Sequence, residues 1–271
     1  MMKRTLGWIL AFAGAAAAEQ NLVIDANTSG NYDQLNGTNG NTQTSITVTE
    51  STTINRLDGS SLNNLTSITM TLNESVMLTI TDYAKLPYNN TWDKSYSTTI
   101  NLAEGSSLVV QNTLYFGSRN TTSTGITQNT QLTFGQGASI TAGTISTVAA
   151  PAGSNNVSTL FLTASFDAPT LTTLGDTARA GATASRSLIT TTAGFENYSM
   201  TDVSLAPITA LDDMGYTRVG VVDSLDQLED GQYGLLYSGN VMSLVARTIP
   251  EPSTAALSLL LLLGLLSRRR R

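Results

Sequence analysis

The chain has no cysteine and no histidine among its 271 residues. Without cysteine no disulfide can staple the fold, so stability must come from apolar burial and backbone pairing. Without histidine there is no Ser-His-Asp or Cys-His catalysis, no histidine-ligated zinc and no imidazole acid–base chemistry. Charge is scarce too: Asp, Glu, Lys and Arg make up 13% of the residues and aromatics 6%. Residues 19–249 hold 19 acidic side chains against 8 basic ones. The basic ones are scattered, at Arg56, Lys85, Lys94, Arg119, Arg179, Arg186, Arg218 and Arg247. Such a body presents no basic face, so no nucleic-acid partner is expected.

What fills the body instead is threonine, serine and asparagine in a period of two. Ile46-Thr47-Val48, Ile68 to Leu72, Leu78-Thr79-Ile80 and Leu132-Thr133-Phe134 place apolar residues on alternate sites. That alternation predicts half-buried strands, and threonine suits a pleated surface better than a helix. No convincing helical period appears between Glu19 and Thr190. The body reads as all-β.

A turn motif recurs within it. Leu57-Asp58-Gly59-Ser60, Leu72-Asn73-Glu74-Ser75, Leu102-Ala103-Glu104-Gly105 and Phe134-Gly135-Gln136-Gly137 place an acid or amide at 58, 74, 104 and 136. Glycine there supplies φ > 0, and serine a local hydroxyl. Repeats of this kind predict an irregular parallel β-solenoid, in which stacked coils bury a core no coil could bury alone. A β-sandwich with similar-looking turns is the alternative. Residues 149–156 and Ala178 to Ser187 read as loops. Met214 to Val222, Tyr233 to Ser238 and Val241 to Ala246 read as strands, the last two joined by the hairpin signal Gly239-Asn240. Leu225 to Gly231 reads as a polar turn or one helical turn. This unit is expected to be a C-terminal β-hairpin cap on the stack. The organisation is then a signal peptide at 1–18, a passenger at 19–194, a cap at 195–247 and a tail at 248–271.

Both termini carry addressing signals. Lys3 and Arg4 precede an apolar stretch, and Ala16 and Ala18 are the small residues of a secretory signal peptide's cleavage site, with the cut expected after Ala18. At the other end Pro250-Glu251-Pro252 precedes an apolar run containing Leu257, Leu259, Leu260, Leu261, Leu262, Leu263, Leu265 and Leu266. Arg268, Arg269, Arg270 and Arg271 follow. In a helix the uncharged stretch from Pro252 to Ser267 spans roughly 24 Å, short of the hydrocarbon core. Arginine stems can snorkel to relieve the mismatch and hold that end in the cytoplasm. The prolines keep the flanking peptide extended, as a processing enzyme needs.

This three-part tail resembles the PEP-CTERM sorting signal of Gram-negative bacteria. The resemblance covers the tail alone. It implies that an exosortase-type membrane protease is a partner, that Pro250, Glu251 and Pro252 are the recognition motif, and that the protein is sorted through the inner membrane to the outer surface or extracellular matrix. It implies nothing about the activity of the body.

Three constellations bear on that activity. The carboxylate pairs Asp212/Asp213, Asp226 with Glu229 or Asp230, and Asp82/Asp93 are candidates for glycoside hydrolysis, though turn residues solvated at the surface give the same pattern. No calcium loop is present, and neither metal nor cofactor is expected. Tyr88 and Trp92 lie in a loop with Tyr83 and Tyr96 and could form a sugar-stacking platform, or fold the loop over its own coil. The expected function is a non-enzymatic, adhesin-like surface or matrix protein, associated with exopolysaccharide. The alternatives are a polysaccharide hydrolase or lyase on the same scaffold, and a single-pass membrane protein whose tail is never cut.

Overall fold

A computed structural model describes residues 20–28, 31–32, 43–58, 67–86, 96–116, 127–147, 157–165, 183–196 and 200–248. The expected signal peptide, the 149–156 loop, Tyr88, Trp92, Asp93, the sorting motif, the leucine-rich run and the arginine cluster all lie outside the described residues. Among the described residues, no helix is long and apolar enough to cross a membrane.

The described chain is mostly strand, in two sheets. Sheet A orders β1 (Gln20–Ile24), β3 (Gln43–Val48), β6 (Ser67–Leu72), β9 (Tyr96–Leu102), β11 (Thr127–Phe134), β13 (Val157–Ala164) and β15 (Val203–Leu205) side by side. Every pairing in it is parallel. Sheet B takes the intervening strands: β2 (Asn31–Tyr32), β4 (Thr52–Ile54), β5 (Arg56–Asp58), β7 (Met77–Ile80), β8 (Ala84–Leu86), β10 (Ser107–Phe116), β12 (Ser139–Thr147) and β14 (Thr183–Glu196). It ends in β18 (Val241–Arg247), β17 (Gln232–Ser238) and β16 (Thr217–Val222). The chain therefore passes from sheet A to sheet B and back, laying each pass beside the last.

Register explains why the alternating sequences form these sheets. In sheet A, Leu22 lies beside Ile46, Ile46 beside Met70, Met70 beside Ile100, Ile100 beside Leu132, Leu132 beside Leu162 and Leu162 beside Leu205. In sheet B, Ile54, Ile80, Val110 and Ala142 form a second inward column, and Leu57, Ala84, Leu114 and Ile145 a third. From Ile46 onward nearly all of these side chains are fully buried. A one-residue slip would turn a whole strand's apolar set to solvent, so the period of two fixes the register.

The passes share two corners. At the first, the turns 73–76, 103–106 and 135–138 stack: Ser75 N–H donates to Glu104 O at 2.8 Å and Gly105 N–H to Gln136 O at 2.7 Å. Their third residues, Ser75, Gly105 and Gly137, have φ of 58°, 68° and 68°. This is the positive-φ position that glycine meets without strain, and Ser75 adopts it as a non-glycine. The acid-or-amide positions 74, 104 and 136 therefore coincide in space, as their sequence similarity predicts. Position 58 does not join them. Leu57 and Asp58 lie in β5 beside Ala84 and Lys85 of β8. The true predecessor of Glu74 is Glu50, because Thr49 N–H bonds Ile24 O and Asn73 N–H bonds Val48 O. Local turn chemistry looks alike at any corner; only the long-range pairing says which corner it is.

The second corner bends sheet B. Asp82 N–H donates to Asn55 O at 2.8 Å, and Asn112 N–H to Asp82 O at 3.0 Å. Asn112 Nδ2 adds a bond to Asp82 Oδ1 at 3.0 Å. The register shifts here between Val110 and Thr113, so Gly143 lies opposite an extra residue. A Cβ on Gly143 would come within 2.4 Å of Asn112 O, which is why glycine stands there.

The C-terminal unit changes the pairing. β18 runs antiparallel to both β14 and β17, while β16 returns parallel to β17. The strands expected here are present, with the first beginning at Thr217 rather than Met214. Residues 209–213 instead form α1 (Thr209–Asp213), a single short helix followed by Gly215 at φ 85°. Gly239 and Asn240 have φ of 57° and 63°, the two positive values a type I′ hairpin demands. Leu225–Gln227 is one 3₁₀ turn. The small-residue stretch Ala178 to Ser187 needs correction: β14 begins at Thr183, and Thr183–Ser187 pairs with Ser243–Arg247. Backbone hydrogen bonds to β18 hold a segment whose side chains gave no apolar signal. β14 also crosses the expected 194/195 boundary, bonding the stack through β12 and the C-terminal unit through β18.

Candidate ligand groove

The outward positions of sheet A form two regular columns. One runs Val23, Thr47, Thr71, Asn101, Thr133, Thr163. The other runs Ser45, Thr69, Thr99, Gln131, Phe161, Ser204. Neighbours in a column lie about 4.8 Å apart, and two residues along a strand span about 6.6 Å. The result is a lattice mainly of hydroxyls and amides, interrupted by the exposed apolar side chains of Val23 and Phe161.

Across it runs a groove of 610 Å³. Its floor carries Thr71, Asn101, Thr133 and Thr163, and its far side is formed by Pro207 to Ala210, just after β15. Three strand spacings separate Thr71 from Thr163, so this floor is roughly 14 Å long. The wall is fixed from behind: Ile208 is buried, and its N–H donates to Tyr233 Oη at 3.0 Å. Tyr233 in turn donates to Asp212 Oδ1 at 2.7 Å. Burial pushes the Tyr233 hydroxyl above its ordinary pKa, and acceptance by Asp212 adds to the shift.

Charge is missing from this face. None of the seven strands of sheet A contains Asp, Glu, Lys or Arg. At its turn edge Glu50, Glu74 and Glu104 follow β3, β6 and β9, and the cation Arg186 is turned to structural use. Its guanidinium donates to the carbonyls of Gly135, Ala138 and Ser165, and partial burial lowers its pKa. Polar groups at the strand starts are likewise spent internally. Thr147 Oγ1 donates to Gln128 Oε1, Ser158 Oγ donates to the same oxygen at 3.2 Å, and Thr98 Oγ1 donates to Leu86 O at 2.8 Å.

The carboxylates weighed for catalysis are placed apart from the groove floor. Asp82 belongs to the second corner, and Asp212 holds Tyr233. Asp230 pairs with Arg247 at 2.8 Å, and Glu229 accepts from Gln232. Among the described residues no three acidic side chains are grouped to hold a metal ion. The aromatic that sequence reading missed is Phe161. Its signal was visible, since alternation in Leu160-Phe161-Leu162 sends both leucines inward and the phenylalanine outward; it is 39% exposed. Comparison with protein-family models, curated proteins and solved structures finds no match for this chain.

Proposed function

We propose that this is an exported, non-enzymatic surface or matrix protein, delivered by a PEP-CTERM-type tail and associated with exopolysaccharide. The observation that carries the reading is the order of the tail: Pro250-Glu251-Pro252, an uncharged leucine-rich run, then Arg268 to Arg271. The N-terminal signal, with Ala16 and Ala18 at its cleavage position, agrees with export.

The body is proposed to be a β-solenoid that displays its faces rather than transforms a substrate. Parallel pairing across seven strands of sheet A supports this over a β-sandwich, whose neighbouring strands run antiparallel. The antiparallel β17–β18 hairpin then serves as the cap on the last coil. Engagement of Asp82, Asp212 and Asp230 by Asn112, Tyr233 and Arg247 favours structural over catalytic carboxylates.

The test is the intact mass of protein recovered from its native envelope and medium, for wild type and Glu251→Ala. Wild type should have lost residues 1–18 and the segment after the sorting motif. The variant should insert in the membrane yet stay uncut and unsorted. Equal sorting of both would leave the uncut membrane anchor as the correct reading.

A further inference from the structure

We propose that the outer face of sheet A around Phe161 is a binding strip for a neutral polysaccharide. The proposal deepens the exopolysaccharide association above by naming the site and the class of glycan.

Three independent features converge there. Phe161 is an exposed aromatic on a flat sheet, a position that gives a sugar ring an apolar face to stack on. Around it lie Gln131 across the ladder and Thr163 two residues along the strand, with Thr133 diagonal to it and Asn101 one strand further on. These four side chains make no hydrogen bond to another described residue, in contrast to Gln128, Asn129 and Thr159 one step back along the same strands. Amide and hydroxyl groups unspent within the fold are what sugar hydroxyls pair with. Thr163, Thr133 and Asn101 also floor the groove, so the strip continues from the Phe161 ring into a channel walled by Pro207.

Electrostatics selects the class of glycan. The body is acidic overall, and its face here has no cation to pair with a uronate or sulfate. An anionic chain would meet a repulsive field and no compensating contact. A neutral chain loses nothing by approaching, and its binding should scarcely depend on salt.

The experiment is affinity electrophoresis of the full chain in mild detergent, through gels containing hydroxyethylcellulose, dextran or alginate. Sedimentation of the same samples reports self-association. Retardation is expected in at least one neutral glucan and not in alginate, unchanged between low and high salt. Phe161→Ala should weaken it about tenfold and Phe161→Tyr should preserve it, because stacking needs the ring rather than the exact residue. The melting temperature should be equal in all three, since the side chain is exposed. No retardation in either neutral glucan, retardation in alginate instead, or retardation that Phe161→Ala leaves intact would each overturn the proposal. So would a wild-type dimer that Phe161→Ala dissolves, which would make the face a contact between copies. None of these outcomes touches the sorting reading, whose test is cleavage in the cell.

Discussion

The stacked region and the C-terminal unit solve one problem by opposite means. From β3 to β13 each strand repeats the duty of its neighbour, so apolar side chains stand in columns and the turns superpose. Its second corner is held by an Asn and Asp ladder that merely continues the same periodicity. From Met200 onward nothing repeats. There the chain is fastened by individual side chains: Tyr233 to Asp212 and Ile208, Arg218 to Leu205 O, Arg247 to Asp230 and Leu228 O. A periodic region spreads its stability over equivalent layers. An aperiodic end concentrates it in ties that can be cut singly.

The largest effect should come from breaking a column. Phe134 is fully buried between Leu102 and Ala164. Phe134→Ala should cost about 3–5 kcal/mol by denaturant unfolding, the usual range for truncating a buried aromatic. Because each layer contacts mainly its neighbours, hydrogen exchange should quicken first in β9, β11 and β13 and later in β17 and β18. Uniform acceleration through both regions would show that they unfold as one body, and the contrast drawn here would fail.

A middle-sized effect should come from cutting the principal tie of the aperiodic end. Tyr233→Phe keeps the buried ring and removes the hydroxyl, leaving the Ile208 N–H without its acceptor. The expected loss is about 1–3 kcal/mol, the cost of an unsatisfied buried donor. Its pH dependence follows in sign. The folded pKa of Tyr233 lies above the unfolded value, because burial disfavours the phenolate. The unfolded chain therefore releases this proton first, and the hydroxyl's contribution, whole below about pH 10, is lost as pH rises beyond it. The gap between wild type and Tyr233→Phe should narrow above that pH. A constant gap would mean that folding does not raise the Tyr233 pKa, and no gap at neutral pH would mean that the ring's packing, rather than its hydroxyl, carries the tie.

These two regions were also unequally legible in sequence. Alternation located β3, β6, β7 and β11 because one buried face imposes it directly on Ile46, Met70, Leu78 and Leu132. The glycine and asparagine of the 239–240 turn declared themselves because few residues tolerate two successive positive φ angles. The repeated turns at 74, 104 and 136 foreshadowed parallel pairing, but the corner to which Asp58 belongs was not legible. Partners in a parallel stack lie far apart, as Ser107 and Ser139 do at 32 residues, so the residues of one turn do not say which corner it occupies. β14 escaped at its start because Thr183 to Ser187 is held by backbone bonds to β18, which composition does not record. The groove was hidden for the same reason. Thr71, Asn101, Thr133 and Thr163 are unremarkable until the register sets them in line. The tail pattern from Pro250 to Arg271 is contiguous in sequence and lies outside the described residues.

The smallest effect should come from the surface tie, and it tests how far the contrast extends. Arg247 Nε meets Asp230 Oδ1 at 2.8 Å, but the two side chains are 31% and 38% exposed. Water and ions screen a pair of that exposure, so its contribution should stay below about 1 kcal/mol. Arg247 also keeps a second bond, donating to Leu228 O at 2.8 Å, and its own carbonyl accepts from Gly231 N–H. Asp230→Asn should therefore leave the β18 end in place, lowering stability by less than Tyr233→Phe does, with the difference shrinking further in high salt. A loss equal to that of Tyr233→Phe and insensitive to salt would place Arg247 among the essential ties. The aperiodic end would then depend on its surface as much as on its buried tyrosine, and the distinction between the two regions would rest on repetition alone, not on burial.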